Sequence, residues 1–370
     1  MKIAVISDLH LGYSRFEEDS YAQPERMIEE AMQKADALIV AGDLFDSRVP
    51  KIESIRHAVE IFKKSKIPVI AIHGNHERRT KGFDNPINIL ASAEVIDYLN
   101  CSERLLEKDG EKVAIFGVGS VPEEYAEEEI KKAIDGYKAP DGAFKILVLH
   151  QNINELVNQN GMTLDFLNKL PFDFIINGHI HKRYVKLDGK LLIPGSTVIT
   201  QLKKEEMEPK GYYLLDTATG KCEFFEVATR KFFYEELKFT NATEKEVLDA
   251  IDAKIGGIRK DQPAAIISLK LTGSLREGLK ASDIRLNIDD PLVFASNELN
   301  VADLKDKIEE IKRIRDSNMS VREFGRMELE RRLKGKLKLF KPSELFEKLV
   351  EDQETATAYL EEIIQKETQG

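Results

Sequence analysis

Six of the seven histidines in this 370-residue chain fall inside five short polar motifs, each at the end of an apolar run. Residues 3–7 lead into Asp8-Leu9-His10, and residues 37–41 into Gly42-Asp43-Leu44-Phe45-Asp46. Residues 67–72 lead into His73-Gly74-Asn75-His76-Glu77, residues 145–149 into His150, and residues 172–176 into Asn177-Gly178-His179-Ile180-His181. Carboxylate, imidazole and amide oxygen donors without a thiolate suit a hard or borderline divalent cation. Manganese fits best, and iron, zinc, cobalt and magnesium are compatible. Asp8, His10, Asp43, Asn75, His150, His179 and His181 make seven candidate ligands, too many for one ion that keeps a position open to water. Two ions about 3.5–4 Å apart, sharing a carboxylate, would use them all, activate a water and clamp both oxygens of an in-line displacement at phosphorus.

Taken singly, the motifs are weak. A Gly-Asp at a strand end is commonly a turn, and a lone buried histidine is commonly a satisfied core residue. The weight lies in the ordered set. Short apolar runs bounded by glycine read as strands buried on both faces. In layered α/β folds, ligands bind beyond the carboxyl ends of such strands. The elements that must position the donors are therefore parallel strands whose ends meet at one place.

The order Asp-x-His, Gly-Asp-x-x-Asp, Gly-Asn-His-Glu, His, Gly-His-x-His resembles the calcineurin-like metallophosphoesterase superfamily. The segments Ser7-Asp8-Leu9-His10-Leu11-Gly12-Tyr13, Gly42-Asp43-Leu44-Phe45 and Gly74-Asn75-His76-Glu77 narrow the resemblance to the archaeal Mre11 family of DNA double-strand-break repair nucleases, whose bacterial counterpart is SbcD. The motif match covers about residues 1–200. It implies an α/β fold: a four-layer metallophosphoesterase β-sandwich flanked by helices, a small α/β capping domain and a C-terminal helical partner-binding segment. It implies two Mn2+ per subunit, with Mg2+ or other divalent ions as substitutes. One ion would be held by Asp8, His10, Asp43 and His181, the other by Asp43, Asn75, His150 and His179, with Asp43 bridging. His76 would be the catalytic histidine that is not a ligand, orienting the phosphate or protonating the leaving sugar oxygen, a task suited to a group with an ordinary pKa of about 6.5. Many relatives carry a second active-site histidine directly after Gly-Asp-Leu-Phe, where this chain has Asp46. Asp46 is expected to orient a ligand histidine from behind, and His73 to orient the third motif's loop. His57 lies in a helical segment as an ordinary surface or interface residue.

The implied activities are 3′-to-5′ exonuclease on duplex DNA and endonuclease on single strands or hairpins, gated by a Rad50-type coiled-coil ABC ATPase. The competing activity on the same metals is that of a phosphatase or cyclic-nucleotide phosphodiesterase. Protein phosphatases of this superfamily read Gly-Asp-x-Val-Asp-Arg-Gly at the second motif, whereas this chain reads Gly-Asp-Leu-Phe-Asp-Ser-Arg. A non-catalytic scaffold would have lost ligands, and here all are present.

The formal charge of −10 runs against nucleic-acid affinity, which comes largely from neutralised phosphates. Bound cations supply local positive charge, and basic side chains flank two motifs: Arg78, Arg79 and Lys81, then Lys182, Arg183 and Lys186. Arg78, Arg79, Lys182 and Tyr13 are candidate DNA contacts, with a solvated rim as the alternative for the basic groups. An acidic total predicts salt-sensitive binding by this chain alone and hence a partner. Two unpaired cysteines, an N-terminus that enters a strand directly, and no apolar run of 18 residues lead us to expect a cytoplasmic, nucleoid-associated protein without signal peptide or membrane span.

The length exceeds one typical core, and the expected domains are 1–230, 231–298 and 299–370. Residues 211–227 read as a hairpin closing the first. Helical stretches at 51–64 and 86–99 form a four-helix dimer contact in the resembling family, and the sequence equally allows them to pack on their own sheet. In the second domain, strands are expected at 232–239, 264–272 and 292–295. A helix at 243–255 would open with a Thr243/Glu246 capping box and end at Gly256-Gly257. Residues 302–316 read as a charged helical stretch. Residues 312–341 hold eleven Lys or Arg against four Asp or Glu, and 344–367 hold eight acidic residues against two Lys. The latter stretch is amphipathic, and the resemblance assigns it to docking on the ATPase partner.

Overall fold

The computed structural model describes residues 1–79, 83–286, 288–300, 323, 342–351, 356–361 and 363. The chain divides into two compact units, Met1–Glu235 with Ile251–Lys270 and Asn287–Ser296, and Glu236–Ala250 with Leu271–Leu286 and Asn297–Gly370.

The first unit is built on two six-stranded sheets. One contains β1 (Lys2–Ile6), β2 (Ala37–Ala41), β3 (Val69–Ile72) and β4 (Asp97–Tyr98), all parallel, extended beyond β1 by the antiparallel hairpin β11 (Gly211–Asp216) and β12 (Lys221–Glu226). The other contains β6 (Glu111–Gly117), β7 (Phe144–His150), β8 (Phe174–Gly178) and β10 (Leu191–Ile193) in parallel, with β5 (Ser102–Lys108) and β9 (Tyr184–Lys186) antiparallel at the edges. Every residue of β2 is buried, as expected of a strand covered on both faces.

Alternation along the strands sorts side chains into layers. Ile3, Val5, Ile39, Ile70 and Ile72 of the first sheet meet Val113, Ile115, Ile146, Val148 and Ile176 of the second. The first sheet's other face (Ala4, Ile6, Leu38, Val40) packs on α1 (Glu17–Met32), α2 (Ile52–Lys63) and α3 (Pro86–Ser92) through Met27, Ile28, Ile61, Phe62 and Leu90. The second sheet's outer face packs on α4 (Ala126–Ile134) and α6 (Leu164–Asn168), α5 being the short Asn154–Val157. The result is the four-layer α/β sandwich.

The helical stretch expected over 86–99 is shorter in the structure. Asn85 caps α3 by accepting from Ile87 and Asn88. Glu94 then takes φ +57, and the chain returns as β4. A left-handed residue breaks the α-helical path. β5, β6 and α1 were not anticipated from the sequence. Among the remaining elements, β13 (Phe232–Ala242), β14 (Ile266–Leu275) and β15 (Val293–Leu299) form a three-stranded sheet in that order, and the unit boundary falls within each strand. The helix expected to stop at Gly256-Gly257 instead runs from Glu244 to Asp261 as α7. A side-chain carbon on either glycine would meet nothing. Continuation carries Arg259 to Asp290, 2.8 Å away, and to the Ala265 carbonyl at 2.7 Å. The Thr243/Glu246 capping box is formed. Pro342–Glu351 is helical (α8), and Tyr359 donates to Glu344. The 302–316 helix and the basic stretch 312–341, Glu323 apart, lie outside the described residues. No described helix is long and apolar enough to cross a membrane.

Candidate metal centre

The five motifs converge. β1, β2 and β3 deliver Asp8 and His10, Asp43, and Asn75 and His76 from one sheet. β7 and β8 deliver His150, His179 and His181 from the other. Asp8, His10, Asp43 and His179 hold φ values of +54, +48, +46 and +75. Left-handed backbone at non-glycine residues costs of order 1–3 kcal/mol each and gathers at functional sites. His179 and His181 therefore do not lie on an extended segment, although both reach the cluster. Glycines make the close approach feasible: a Cβ on Gly42 would fall 2.3 Å from His150 Nδ1, and one on Gly74 would fall 2.0 Å from Asp43 Oδ1.

His150 and His181 are each engaged from outside through Nδ1 and present Nε2 inward. His150 Nδ1 donates to the Ala41 carbonyl at 2.7 Å, and Nε2 lies 3.2 Å from Asp43 Oδ2 and 3.2 Å from Asn75 Oδ1. His181 Nδ1 meets Thr200 Oγ1 at 2.6 Å, so Nε2 faces Asp8 Oδ1 at 3.5 Å and His10 Nε2 at 3.2 Å. His10 Nδ1 lies 3.3 Å from the Asp46 carboxylate. His179 turns Nδ1 to Asn75 Oδ1 at 2.7 Å and Nε2 toward Glu123 at 3.8 Å. His76 Nδ1 donates to the Asp46 carbonyl at 2.7 Å, leaving Nε2 3.9 Å from Asp43 Oδ2. Its ring stands edge-on to His10, with centroids 4.9 Å apart.

Among the described residues, three groups of donors lie close enough to hold a cation: Asp8, His10 and His181; His10, Asp43 and His76; and Asp43, His150 and His179. Asp43 belongs to two of them. Two further observations fit a cation here. Asp8 Oδ1 is buried with no hydrogen-bond partner among the described residues, which is costly for a carboxylate without a counter-charge. The facing Nε2 atoms of His10 and His181 also place two potential lone pairs at hydrogen-bond distance.

Without a cation, the charges compensate one another. Burial disfavours a charged His150, but Asp43 and then Asp8 outweigh it and push the ring up to about 10. Burial likewise opposes ionised Asp43, yet His150 and His10 hold it below the usual carboxylate range. Burial, followed by the His150 charge, drives His179 down to about 3.

His73 is driven down to about 4, chiefly by burial. A buried neutral histidine binds fewer protons than its unfolded counterpart below pH 6.5. Stability is therefore intact above that pH and lost as pH falls toward 4. The expected loss is about 3 kcal/mol in metal-free protein. Urea melts of wild type and His73→Gln across this window should show the variant lacking that part of the slope.

Several residues of the site carry no clear sequence signal. Glu77, completely buried, accepts from Phe45 N–H at 2.6 Å and Gly74 N–H at 2.7 Å, tying the second motif to the third. Burial and then Asp43 push its carboxyl up to about 8. Its place in the third motif was the only hint. Ser7 donates to Asp8, and Asn177 locks Gln151 and Gly178. Glu206 lies near His181 and is itself held by the buried Lys210 at 2.5 Å. Glu123, Thr200, Glu206 and Lys210 lie outside the five motifs.

The cluster opens into a cleft of about 550 Å3 lined in part by Asp43, Asn75, His76, His179, His181 and Lys182. Tyr13 is less free than the sequence implied: its hydroxyl donates to the Thr200 carbonyl at 2.8 Å, and its ring packs by Phe16. Arg79 donates to the Arg48 carbonyl, and Arg78 is half-buried. Lys81 lies outside the described residues. His57 packs at a tilt against Tyr21, with ring centroids 4.7 Å apart, and is in none of the donor groups.

Fold and site together define a metallophosphoesterase architecture, and residues 1–183 match the family model described as calcineurin-like phosphoesterase. The chain resembles the archaeal Mre11 double-strand-break repair proteins. It is 30% identical over 236 residues to the DNA double-strand break repair protein Mre11 of Saccharolobus solfataricus, covering 58% of this chain and 60% of that protein. It is 28% identical over 272 residues to the Methanocaldococcus jannaschii protein of the same name, covering 69% and 73%. It is 30% identical over 258 residues to the double-strand break repair protein MRE11 of Encephalitozoon cuniculi, covering 58% and 45%. The chain thus spans less than two thirds of the first and third of these relatives.

Proposed function

We propose that this chain is a two-metal DNA nuclease that processes double-strand-break ends. The observation that carries the proposal is the convergence of Asp8, His10, Asp43, His76, His150, His179 and His181 into adjoining donor groups, with Asn75 beside them on the cleft wall. The similarity to Mre11 proteins supports DNA as the substrate.

Two divalent ions, manganese by preference, would supply positive charge at the phosphate and lower the pKa of a water. Asp8, His10, Asp43 and His181 would hold one, and Asp43, Asn75, His150 and His179 the other. The Ala41 carbonyl holds a proton on Nδ1 of His150, and the Thr200 hydroxyl engages Nδ1 of His181, so that each ring aims Nε2 inward. When protonated, His76 keeps Nδ1–H on the Asp46 carbonyl and offers Nε2–H to the departing sugar oxygen. Lys182 lines the cleft, where it would meet the nucleic-acid backbone. Asp46 orients His10. Asp46→Asn should weaken manganese binding or lower activity by about 10–100-fold, as read by calorimetric titration and cleavage rate.

The finer assignments are 3′-to-5′ exonuclease and single-strand endonuclease activity, homodimerisation, a capping role for residues 231–298, and docking of 299–370 on a Rad50-type ATPase in the cytoplasm. The similarity to Mre11 relatives and the amphipathic C-terminal pattern support these assignments.

The experiment is manganese-dependent cleavage of an end-labelled DNA duplex beside a generic phosphomonoester. Shortening of the DNA that requires manganese is expected. Hydrolysis of the monoester with DNA left intact, even with a Rad50-type ATPase supplied, would reject the nuclease assignment in favour of a phosphatase.

A further inference from the structure

His73 precedes the loop that carries Asn75 and His76, and a chain of hydrogen bonds leads from it away from the cleft. We propose that Tyr98 and Asn85 are positioning residues for that loop, setting the His73 tautomer through a directed relay. The proposal rests on the nuclease assignment for its activity readout but not for its structural one.

The direction of the relay is fixed by its two ends together. Asn85 caps α3 through Oδ1, which accepts from Ile87 N–H at 2.9 Å and Asn88 N–H at 3.3 Å. Only the oxygen of the amide can accept, so Nδ2 must face Tyr98, where it donates to the hydroxyl at 2.8 Å. At the near end the Ser120 carbonyl can only accept, so a neutral His73 carries its proton on Nε2, and the Tyr98 hydroxyl gives its proton to His73 Nδ1 at 2.7 Å. His73 Nδ1 is then an acceptor, the proton resides on Nε2, and Nε2 donates to the Ser120 carbonyl at 3.2 Å. Every donor meets an acceptor in only one arrangement of protons.

The ring has no freedom to take another orientation. It is buried, and a Cβ on Gly119 would fall 1.9 Å from its Cε1, so that backbone lies flat against it. The Ser120 N–H in turn donates to the His73 carbonyl at 3.0 Å. His73 is thereby joined to the residues after β6 through both ring and backbone. Two residues later comes Asn75, and then His76, whose N–H meets Asp43. A rotation at His73 would be felt at both. Outer hydrogen-bond partners of metal sites typically carry 10–100-fold effects.

Asn85→Asp separates this role from a merely structural one. Aspartate keeps the cap, since its oxygen still accepts from Ile87 and Asn88 and it is an equally good N-cap. The second oxygen, however, can only accept, so Tyr98 must turn its proton to residue 85 and leave His73 Nδ1 without a donor. Tyr98→Phe removes the same donor by another route. We expect both variants to cleave the duplex with kcat reduced at least about tenfold, KM little changed, and His73 ring-nitrogen NMR shifts moved away from the wild-type Nε2–H tautomer. Wild-type ring shifts in Asn85→Asp with kcat within twofold of wild type would overturn the relay, as would a wild-type His73 protonated on Nδ1. Should one variant fail to fold, the other and the wild-type spectrum decide. If the wild-type protein does not cleave DNA, the nuclease assignment fails, while the ring shifts of all three proteins still test the relay.

Discussion

His76→Ala should lower the rate of manganese-dependent DNA cleavage by about 10²–10⁴-fold, the range that a positioned proton donor contributes, with metal affinity kept. The expectation follows from how the residue is held. Its backbone N–H donates to Asp43 at 2.9 Å, and an alanine keeps that bond. The imidazole is about a third exposed, hydrogen-bonded from behind to the Asp46 carbonyl and edge-on to His10. Removing it leaves Asp8, Asp43, Asn75 and the other histidines in place. Single-turnover cleavage of an end-labelled duplex, with manganese titration by calorimetry alongside, would check both halves. An unchanged rate would assign the leaving-group proton elsewhere. A rate lost together with metal binding would make His76 a ligand.

Asp43→Ala should have the larger effect, because this carboxylate belongs to two of the three donor groups found among the described residues. Its Oδ2 lies 3.2 Å from His150 and its Oδ1 accepts the His76 N–H, so truncation disturbs three candidate site residues together. The expected result is loss of detectable cleavage and of metal-induced stabilisation. A cation binding only the folded protein adds about 2.7 kcal/mol at a hundredfold excess over Kd. The wild-type melting temperature should therefore rise with manganese while that of the variant stays flat. A variant still stabilised as strongly as wild type would show that Asp43 is not shared between sites.

How much of this was legible in the sequence depended on the range of the interaction. Strands such as Ala-Leu-Ile-Val-Ala at 37–41 announce themselves by composition, and the polar residues following them fix where a site must lie. Asp8, His10, Asp43, Asn75, His76, His150, His179 and His181 could all be named from local pattern. Two of the longer predictions failed at points where one residue's backbone decided the outcome. Glu94 in left-handed geometry ended α3, and Gly256-Gly257 did not end α7. β5 alternates weakly, with only Leu106 fully buried, so it offered little periodic signal. The residues that aim the histidines were hidden for a different reason. Thr200 meets His181 from 19 positions away, and Glu123 approaches His179 from 56 positions away. No local spacing encodes such pairings, and a threonine or glutamate in a loop is ordinary until the fold places it.

The side chains of the site come from both sheets: Asp8, His10, Asp43, Asn75 and His76 from the ends of β1–β3, and His150, His179 and His181 from β7 and β8. Elsewhere the two sheets meet through apolar side chains, which attract without direction and tolerate small shifts. Ions held from both sides would act as rivets through the laminate. Sliding of one sheet along the other, otherwise a soft motion, would then have to break coordination. A filled centre would thus harden the whole sandwich against shear, and chemistry and mechanical integrity would share the same few side chains.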